Sequence, residues 1–273
     1  TFSCLAAEHG VILPLHIEVD TGMGRLGLLV EDAVEIIARI HSLAGLEIEG
    51  IFTHFAAADE KESSYTATQL HRFGTVLDDC RERGISFPIV HAANSAAAIA
   101  YPETRFDLVR LGISLYGCYP SPWFKSDTLR LLPALSLKSK VVAVKKVPPE
   151  TPISYGYTFH TAKESLIATV TSGYADGYSR LFSNSGQVLV RGQRAPVVGR
   201  VCMDYFMIDV SHIPGVCLGD EVVLYGYQGE EQISVEEAAE IIGTFNYEVL
   251  CSVSKKVPRY YFREGRLTDA RSL

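Results

Sequence analysis

The sequence predicts an α/β segment followed by a mostly antiparallel β domain, and three observations carry that expectation. Residues 1–120 alternate short apolar runs with amphipathic helical stretches. Residues 134–230 hold closely spaced runs rich in Val, Ile, Tyr and Phe, separated by Gly, Asp and Pro. Between the two lies 120–133, which contains three prolines and reads as a linker. The chain is 273 residues long, 47% hydrophobic and 21% charged, enough apolar material for a core. Its longest apolar runs, such as 96–100 and 166–170, are far short of the ~20 residues a membrane helix needs. A net charge of −7, from 25 basic and 32 acidic side chains, gives no reason to expect nucleic acid as a partner. Six scattered cysteines with no CxxC pair argue against a zinc ribbon or a disulfide framework and suit the reducing cytoplasm. No metal site is expected, and no signal-peptide pattern stands at Thr1.

Taken in order, the first apolar runs are 15–19, 50–55, 88–91 and 108–113, each expected to be a buried parallel strand. Between them, Ala33, Ile36, Ile37, Ile40, Leu43 and Ala44 share one helical face, as do Leu70, Phe73, Val76, Leu77 and Cys80. Gly84 stands where a glycine would close the second helix. Each strand-like run finishes in polar residues: Glu18 and Asp20, then Thr53 and His54, then His91 with Asn94 and Ser95, then Arg110 with Gly112. In parallel α/β proteins function gathers at the C-terminal strand ends, so these four ends are expected to form one rim of a site.

The second half predicts antiparallel strands at 136–147, 166–172, 187–190, 195–201, 205–210 and 221–227. One helix follows, opened by a capping box of Ser234 and Glu237 and ended by Gly243. The expected domains are 1–127 and 128–273. Four βα units are half of what a closed (β/α)8 barrel requires in ~250 residues, so the first domain is either a small open sheet or part of a barrel.

Eight motifs narrow the choice. They are 20–27 (Asp-Thr-Gly-Met-Gly-Arg-Leu-Gly), 53–55 (Thr-His-Phe), 91–96 (His-Ala-Ala-Asn-Ser-Ala), 109–113 (Val-Arg-Leu-Gly-Ile), 154–156 (Ser-Tyr-Gly), 173–177 (Gly-Tyr-Ala-Asp-Gly), 199–204 (Gly-Arg-Val-Cys-Met-Asp) and 246–248 (Asn-Tyr-Glu). In this order they closely resemble the pyridoxal-phosphate-dependent alanine racemases, over nearly the whole chain. The resemblance implies the C-terminal half of a (β/α)8 barrel followed by a β domain, with pyridoxal 5'-phosphate as cofactor. It also implies a homodimer with shared active sites, acting on L- and D-alanine for peptidoglycan. Family members carry the lysine that bonds the cofactor at the end of the first barrel strand. None of the nine lysines here, at 61, 125, 138, 140, 145, 146, 163, 255 and 256, stands in that setting. The expectation is a chain lacking the N-terminal part, inactive alone, with a separate N-terminal fragment as a candidate partner.

Racemisation removes a proton from one face of the α-carbon and returns one to the other, so two acid/base groups are needed. The resemblance implies that Tyr155 is one and the lysine the other. A tyrosine hydroxyl ordinarily titrates near 10, so it needs neighbouring cations or hydrogen bonds to act as a base. The resemblance also implies Arg25, Met203 and Tyr174 as substrate contacts, Arg25 on the carboxylate and Met203 through its backbone N–H. Tyr174 matches the pocket entrance together with Asp59, Arg180 and Arg200. For the cofactor it implies Arg110 facing the pyridine nitrogen and His91 orienting Arg110. His54, Asn94, Ser95, Gly112 and Ile113 complete the barrel-side set, with Tyr247 as a phosphate-contacting hydroxyl. Ser95 could equally be a plain N-cap. Where several relatives carry a carbamylated lysine, this chain has Glu18, expected to orient Arg25. Two other readings stand beside alanine racemase: a serine-preferring racemase, and a catalytically dead remnant that only binds cofactor or partner.

Overall fold

The computed structural model describes residues 1–61, 63–126 and 129–272. It divides into two compact units, Thr1–Leu132 and Pro133–Leu273. The domain boundary expected between 127 and 128 falls outside the described residues.

The first unit opens with helix α1 (Phe2–His9), closed by Gly10 in the left-handed conformation. Strand β1 (Leu13–Asp20) follows, then a two-residue strand β2 (Leu28–Leu29) and helix α2 (Val30–His41). Glu31 and Asp32 sit in the first turn of α2 and Arg39 and His41 in its last, matching the helix dipole at both ends. Strand β3 (Leu46–Phe52), helix α3 (Tyr65–Glu82), strand β4 (Ile89–His91) and helix α4 (Ser95–Ala100) complete the unit. The sheet order is β2-β1-β3-β4, and every pairing is parallel. All strand ends therefore point the same way, which gathers 20–25, 53–56 and 91–95 at one edge. Its core joins Val19, Ile37, Ile51, Phe73, Val76 and Ala97, all almost wholly buried. Burying a side chain such as Ile37 or Phe73 stabilises the fold by roughly 1.5–3 kcal/mol.

The second unit is antiparallel. Its strands are β5 (Leu137–Val147), β6 (Pro152–Ile153), β7 (Phe159–His160), β8 (Ser165–Val170), β9 (Gln187–Val190), β10 (Gln193–Pro196), β11 (Phe206–Asp209), β12 (Glu221–Gln228) and β13 (Glu231–Ile233). The main sheet runs β10-β9-β12-β5-β8-β11, with β13 folded back on β12. Tyr178, Phe182, Phe206 and Tyr225 form its aromatic core, Tyr178 stacking on Phe182 at 4.4 Å. Helices α5 (Val235–Ile242) and α6 (Asn246–Ser252) follow, then the hairpin of β14 (Arg259–Arg263) and β15 (Arg266–Arg271).

Several expectations need correction. The run 108–113 is not a strand: Leu108 makes one parallel bridge to His91, and Ile113–Tyr116 is a 3-10 turn. Asp107 is the cause, because its carboxylate and its N–H both engage the backbone of Val90 and halt a regular ladder. Leu43 and Ala44 lie beyond the end of α2, and Ile36 is exposed. The run 195–201 leaves the sheet after Pro196, keeping only a bridge from Val197 to Ile208. Ser234 caps α5 by accepting from Glu237 N–H, but the Glu237 carboxylate binds Arg194. The apolar runs and turn residues give no sign of α1, α6 or the final hairpin. Arg83 caps α3, and Gly84 follows it with φ +75°, as its placement required.

Candidate functional site

On the first unit, the centre of the rim is Arg110. Its Nη1 lies 2.5 Å from His91 Nδ1. Its Nη2 donates to the carbonyls of Thr53 at 2.7 Å and Ala92 at 3.1 Å, and lies 3.4 Å from His54 Nδ1. The guanidinium also sits 5.1 Å from the centre of the Phe52 ring, and the same ring stacks on His91 at 4.9 Å. Strand β3 thus supplies the floor, β4 the histidine, and the segment after the Leu108 bridge the arginine. Half-burial weakens the hold of Arg110 on its proton, nearby Glu18 opposes that, and nearby Arg25 reinforces it. Burial, then Arg110 and His16, push His91 down to about 4. Burial, Arg110 and Arg25 lower His54 as well. At neutral pH both histidines are therefore uncharged beside a permanent cation.

The loop after β1 carries Arg25, which is exposed. It is shaped by Asp20, whose carboxylate accepts the N–H groups of Gly22 at 2.9 Å and Gly24 at 3.1 Å, and these bonds lower its pKa. Gly24 has φ +69°, a conformation costly for any other residue. Arg72 donates to the Thr21 carbonyl, and the Tyr65 hydroxyl to that of Gly22. Beneath the loop lies a buried polar network. Thr53 Oγ1 donates to the Val19 carbonyl and leaves its lone pairs for the Thr21 hydroxyl, 2.7 Å away. Gln69, fully buried on α3, donates to Thr21 Oγ1 and to the His54 carbonyl, and accepts from Ala56 N–H. Gln69 ties the Arg25 loop to the His54 loop. It went unremarked in the sequence, although its spacing with Phe73, Val76 and Cys80 puts an amide on an apolar helix face.

Asn94, not Ser95, is the N-cap of α4, accepting from Ala97 N–H at 2.9 Å. This frees the buried Ser95 hydroxyl to accept from Gly112 N–H at 2.9 Å, joining the segment with Ile113 to α4. Ser114 Oγ, next along, is buried and has no hydrogen-bond partner among the described residues. A Cβ on Gly112 would meet nothing within 4 Å, so open space lies above it. An unpartnered buried hydroxyl at Ser114, open space above Gly112, and Ser95 bonded to Gly112 form a donor set that fits an oxyanion such as a phosphate. Glu18 makes no ion pair with Arg25 among the described residues; the cation it influences is Arg110.

On the second unit, Tyr155 stands on a tight turn, Tyr155–Tyr157, and is 70% exposed. Ser154, Gly156 and Tyr157 all have positive φ, two of them non-glycine, so the turn stores strain. The Ser154 hydroxyl anchors it by donating to the Arg200 carbonyl at 2.6 Å. The 200–203 segment then reaches Tyr174: Tyr174 N–H donates to the Cys202 carbonyl and Ala175 N–H to that of Met203. Nothing among the described residues accepts from Met203 N–H. α6, which carries Tyr247, packs its C-terminal end on the same turn, since Ser252 Oγ donates to the Gly177 carbonyl. The structure therefore brings Arg25, His54, His91, Asn94, Ser95, Arg110, Gly112 and Ile113 together on one unit. On the other, it links the segments of Tyr155, Tyr174, Met203 and Tyr247.

Two family models match the chain: the alanine racemase N-terminal domain over residues 2–120 and the alanine racemase C-terminal domain over 134–261. The alanine racemase of Halothermothrix orenii is 50% identical over 257 residues, covering 94% of this chain and 68% of the relative. That of Methanococcus maripaludis is 51% identical over 258 residues, covering 94% and 69%. Among solved structures, alanine racemase of Clostridium difficile 630 superimposes with a TM-score of 0.94 at 39% identity, covering 99% of this chain and 70% of that one. The Bacillus anthracis alanine racemase with bound L-Ala-P gives 0.89 at 40% identity, covering 99% and 71%. The fold class is that of these proteins, barrel strands and helices followed by a β domain. Its members use pyridoxal phosphate, and the chain belongs to the alanine racemase family.

Proposed function

We propose that this chain is the greater part of an alanine racemase, interconverting L- and D-alanine in the cytoplasm and so supplying D-alanine for peptidoglycan. The observation that carries the reading is Arg110: a permanent cation, half-buried at the strand ends and held by His91, Thr53 and Ala92. Pyridoxal phosphate, when bound, delocalises the charge left on the α-carbon after proton removal. Arg110 is the group that would face its pyridine nitrogen; a guanidinium keeps its own protons and does not give one to the ring. Ser95, Gly112, Ile113 and the orphaned Ser114 hydroxyl would hold the phosphate, with Asn94 fixing the start of α4 and the Tyr247 hydroxyl contributing.

Arg25 takes the substrate carboxylate, for which a guanidinium offers bidentate geometry. Met203 N–H, unclaimed within its unit, adds a second donor, and Tyr174 lines the approach. Tyr155 Oη moves the proton on one face of the α-carbon. The group for the other face is a lysine supplied by residues outside these 273, since none of the nine here has the required setting and the relatives are matched over 68–70% of their length. Two copies pair, so that Tyr155 and Met203 of one complete the site around Arg25 and Arg110 of the other.

The test is a D-alanine assay on the purified chain, alone and after addition of a polypeptide supplying the lysine-bearing segment. The chain alone should show no activity, and the mixture should racemise alanine. Racemisation by a homogeneous preparation of the chain would overturn the lysine assignment. Faster turnover of serine would favour the serine-preferring racemase. Cofactor binding without turnover in the mixture would favour the inactive remnant.

A further inference from the structure

The histidine that holds Arg110 is itself held by a second histidine. His91 Nε2 lies 2.8 Å from His16 Nδ1, and His16 Nε2 lies 3.1 Å from Glu49 Oε2. With the 2.5 Å contact from Arg110 Nη1 to His91 Nδ1, four side chains form one unbroken line. Its two ends are chemically fixed. A guanidinium can only donate, and a carboxylate can only accept. His91 Nδ1 must therefore be a bare acceptor, so its proton is on Nε2. That proton goes to His16 Nδ1, which must also be bare, so the His16 proton is on Nε2 and goes to Glu49. Only this arrangement satisfies every contact.

The backbone has been altered to admit this line. The pairing of β1 with β3 slips at Leu15/His16, placing His16 opposite Gly50. A Cβ at residue 50 would collide with His16 Nδ1 and lie 2.8 Å from the Ile89 carbonyl. A glycine inside a strand costs stability, and here it clears the space the His16 ring occupies. The two rings lie 5.0 Å apart, with Phe52 stacked on His91.

We propose that His16 and Glu49 are positioning residues that lock His91 as an acceptor for Arg110. The role toward the cofactor nitrogen rests on the racemase reading; the lock itself does not. Around the line, the charged and titratable groups are Glu49 on β3, His16 and Glu18 on β1, His91, Arg110, and His54 and Arg25 on the neighbouring loops. A proton added to His16 reverses its Nδ1 from acceptor to donor. His91 must then accept at Nε2 and carry its proton on Nδ1, opposite Arg110, so protonation at one end releases the arginine at the other.

The test is nitrogen NMR of the 273-residue chain carrying ¹⁵N-labelled histidine, which reads the protonated nitrogen of each ring directly. Both rings should carry a single proton on Nε2 at neutral pH. Glu49→Gln retains an acceptor and should leave both rings unchanged. Glu49→Lys replaces the acceptor with a donor and should move His91 to the Nδ1–H form or to an average of the two. His16→Phe, which keeps a ring in the space above Gly50, should likewise turn the fixed His91 signal into an average. A native His91 protonated on Nδ1 would overturn the proposal. So would unchanged His91 signals in either Glu49→Lys or His16→Phe, with folding confirmed by circular dichroism. In protein that racemises alanine, Glu49→Lys should lower kcat about tenfold, the scale of one hydrogen bond, with little change in KM. Tautomers as stated in a chain that never racemises, even when supplied with the lysine-bearing segment, would leave the lock standing and defeat the racemase reading instead.

Discussion

Acidification should loosen the first unit, and His91 sets how much. This histidine is 6% exposed and is pushed down to about 4 by burial and by Arg110. In the unfolded chain it returns to about 6.5. A histidine whose folded value is depressed is neutral in the fold and binds its proton more readily when unfolded. Its contribution is thus fully present above about pH 6.5 and is lost as the pH falls toward 4. The full difference is worth at most about 3 kcal/mol, of which about 2 kcal/mol should be gone by about pH 4.5. His54, lowered for the same reasons, acts in the same direction. Asp20, lowered by the Gly24 and Gly22 N–H groups, acts only below the ordinary carboxylate range, so the windows separate.

The assay is available in the sequence: Trp123 is the only tryptophan and lies in the first unit. Urea unfolding followed by its fluorescence reports that unit, and about 2 kcal/mol should move the midpoint by roughly 1 M. His91→Asn keeps an acceptor for Arg110 but does not titrate. Its midpoint should depend on pH much less between about 6.5 and 4.5. Equal pH dependence in the native chain and the variant would refute the assignment of the buried proton to His91.

In protein supplied with the lysine-bearing segment, Tyr155→Phe should cut racemisation by about 10²–10⁴-fold while cofactor still binds, because it removes a proton-transfer group and nothing structural. The residue is 70% exposed, so its stability change should stay within about 0.5 kcal/mol; near-native turnover would exclude Tyr155 as a base. Gln69→Leu should destabilise the first unit by roughly 1–3 kcal/mol, since Ala56 N–H and the His54 carbonyl, both at partly buried bonds, lose their partner. The same Trp123 transition measures it, and a loss below about 0.5 kcal/mol would mean water replaces the amide. Inactive Tyr155 and Arg110 variants, mixed and refolded with the lysine-bearing segment, should recover about a quarter of native activity if sites are shared, because half the dimers are mixed and one of their two sites is intact. Heterodimers that form without activity would refute the shared site.

What could be read from the sequence was the chemistry carried by local motifs. Thr53-His54, His91 and Arg110 announce themselves because polar residues ending buried apolar runs have few structural reasons to be there, and the parallel sheet does bring them to one edge. What could not be read depends on distant backbone. The run 108–113 has a strand's composition, yet Asp107 bonds back to Val90 and Arg110 N–H to the Ala93 carbonyl, which turns the chain aside. The helix start at Asn94 differs by one residue from the cap considered at Ser95, and that single step decides whether the Ser95 hydroxyl is spent on α4 or is available to Gly112.

His16 and Glu49 show the same limit more sharply. By strict alternation from Glu18, His16 is one more polar residue on a half-open strand face, and Glu49 is a surface carboxylate. Only the slip in register beside Gly50 aims the His16 ring at His91. Sequence periodicity describes a strand as though it were regular, so a site built on an irregularity is invisible to it. The direction of the line is different in kind. Once the contacts are placed, the donors and acceptors follow from residue identity alone: an arginine at one end and a glutamate at the other leave the two histidines between them no choice of tautomer. Geometry supplies the neighbours, and the sequence then dictates where the protons lie.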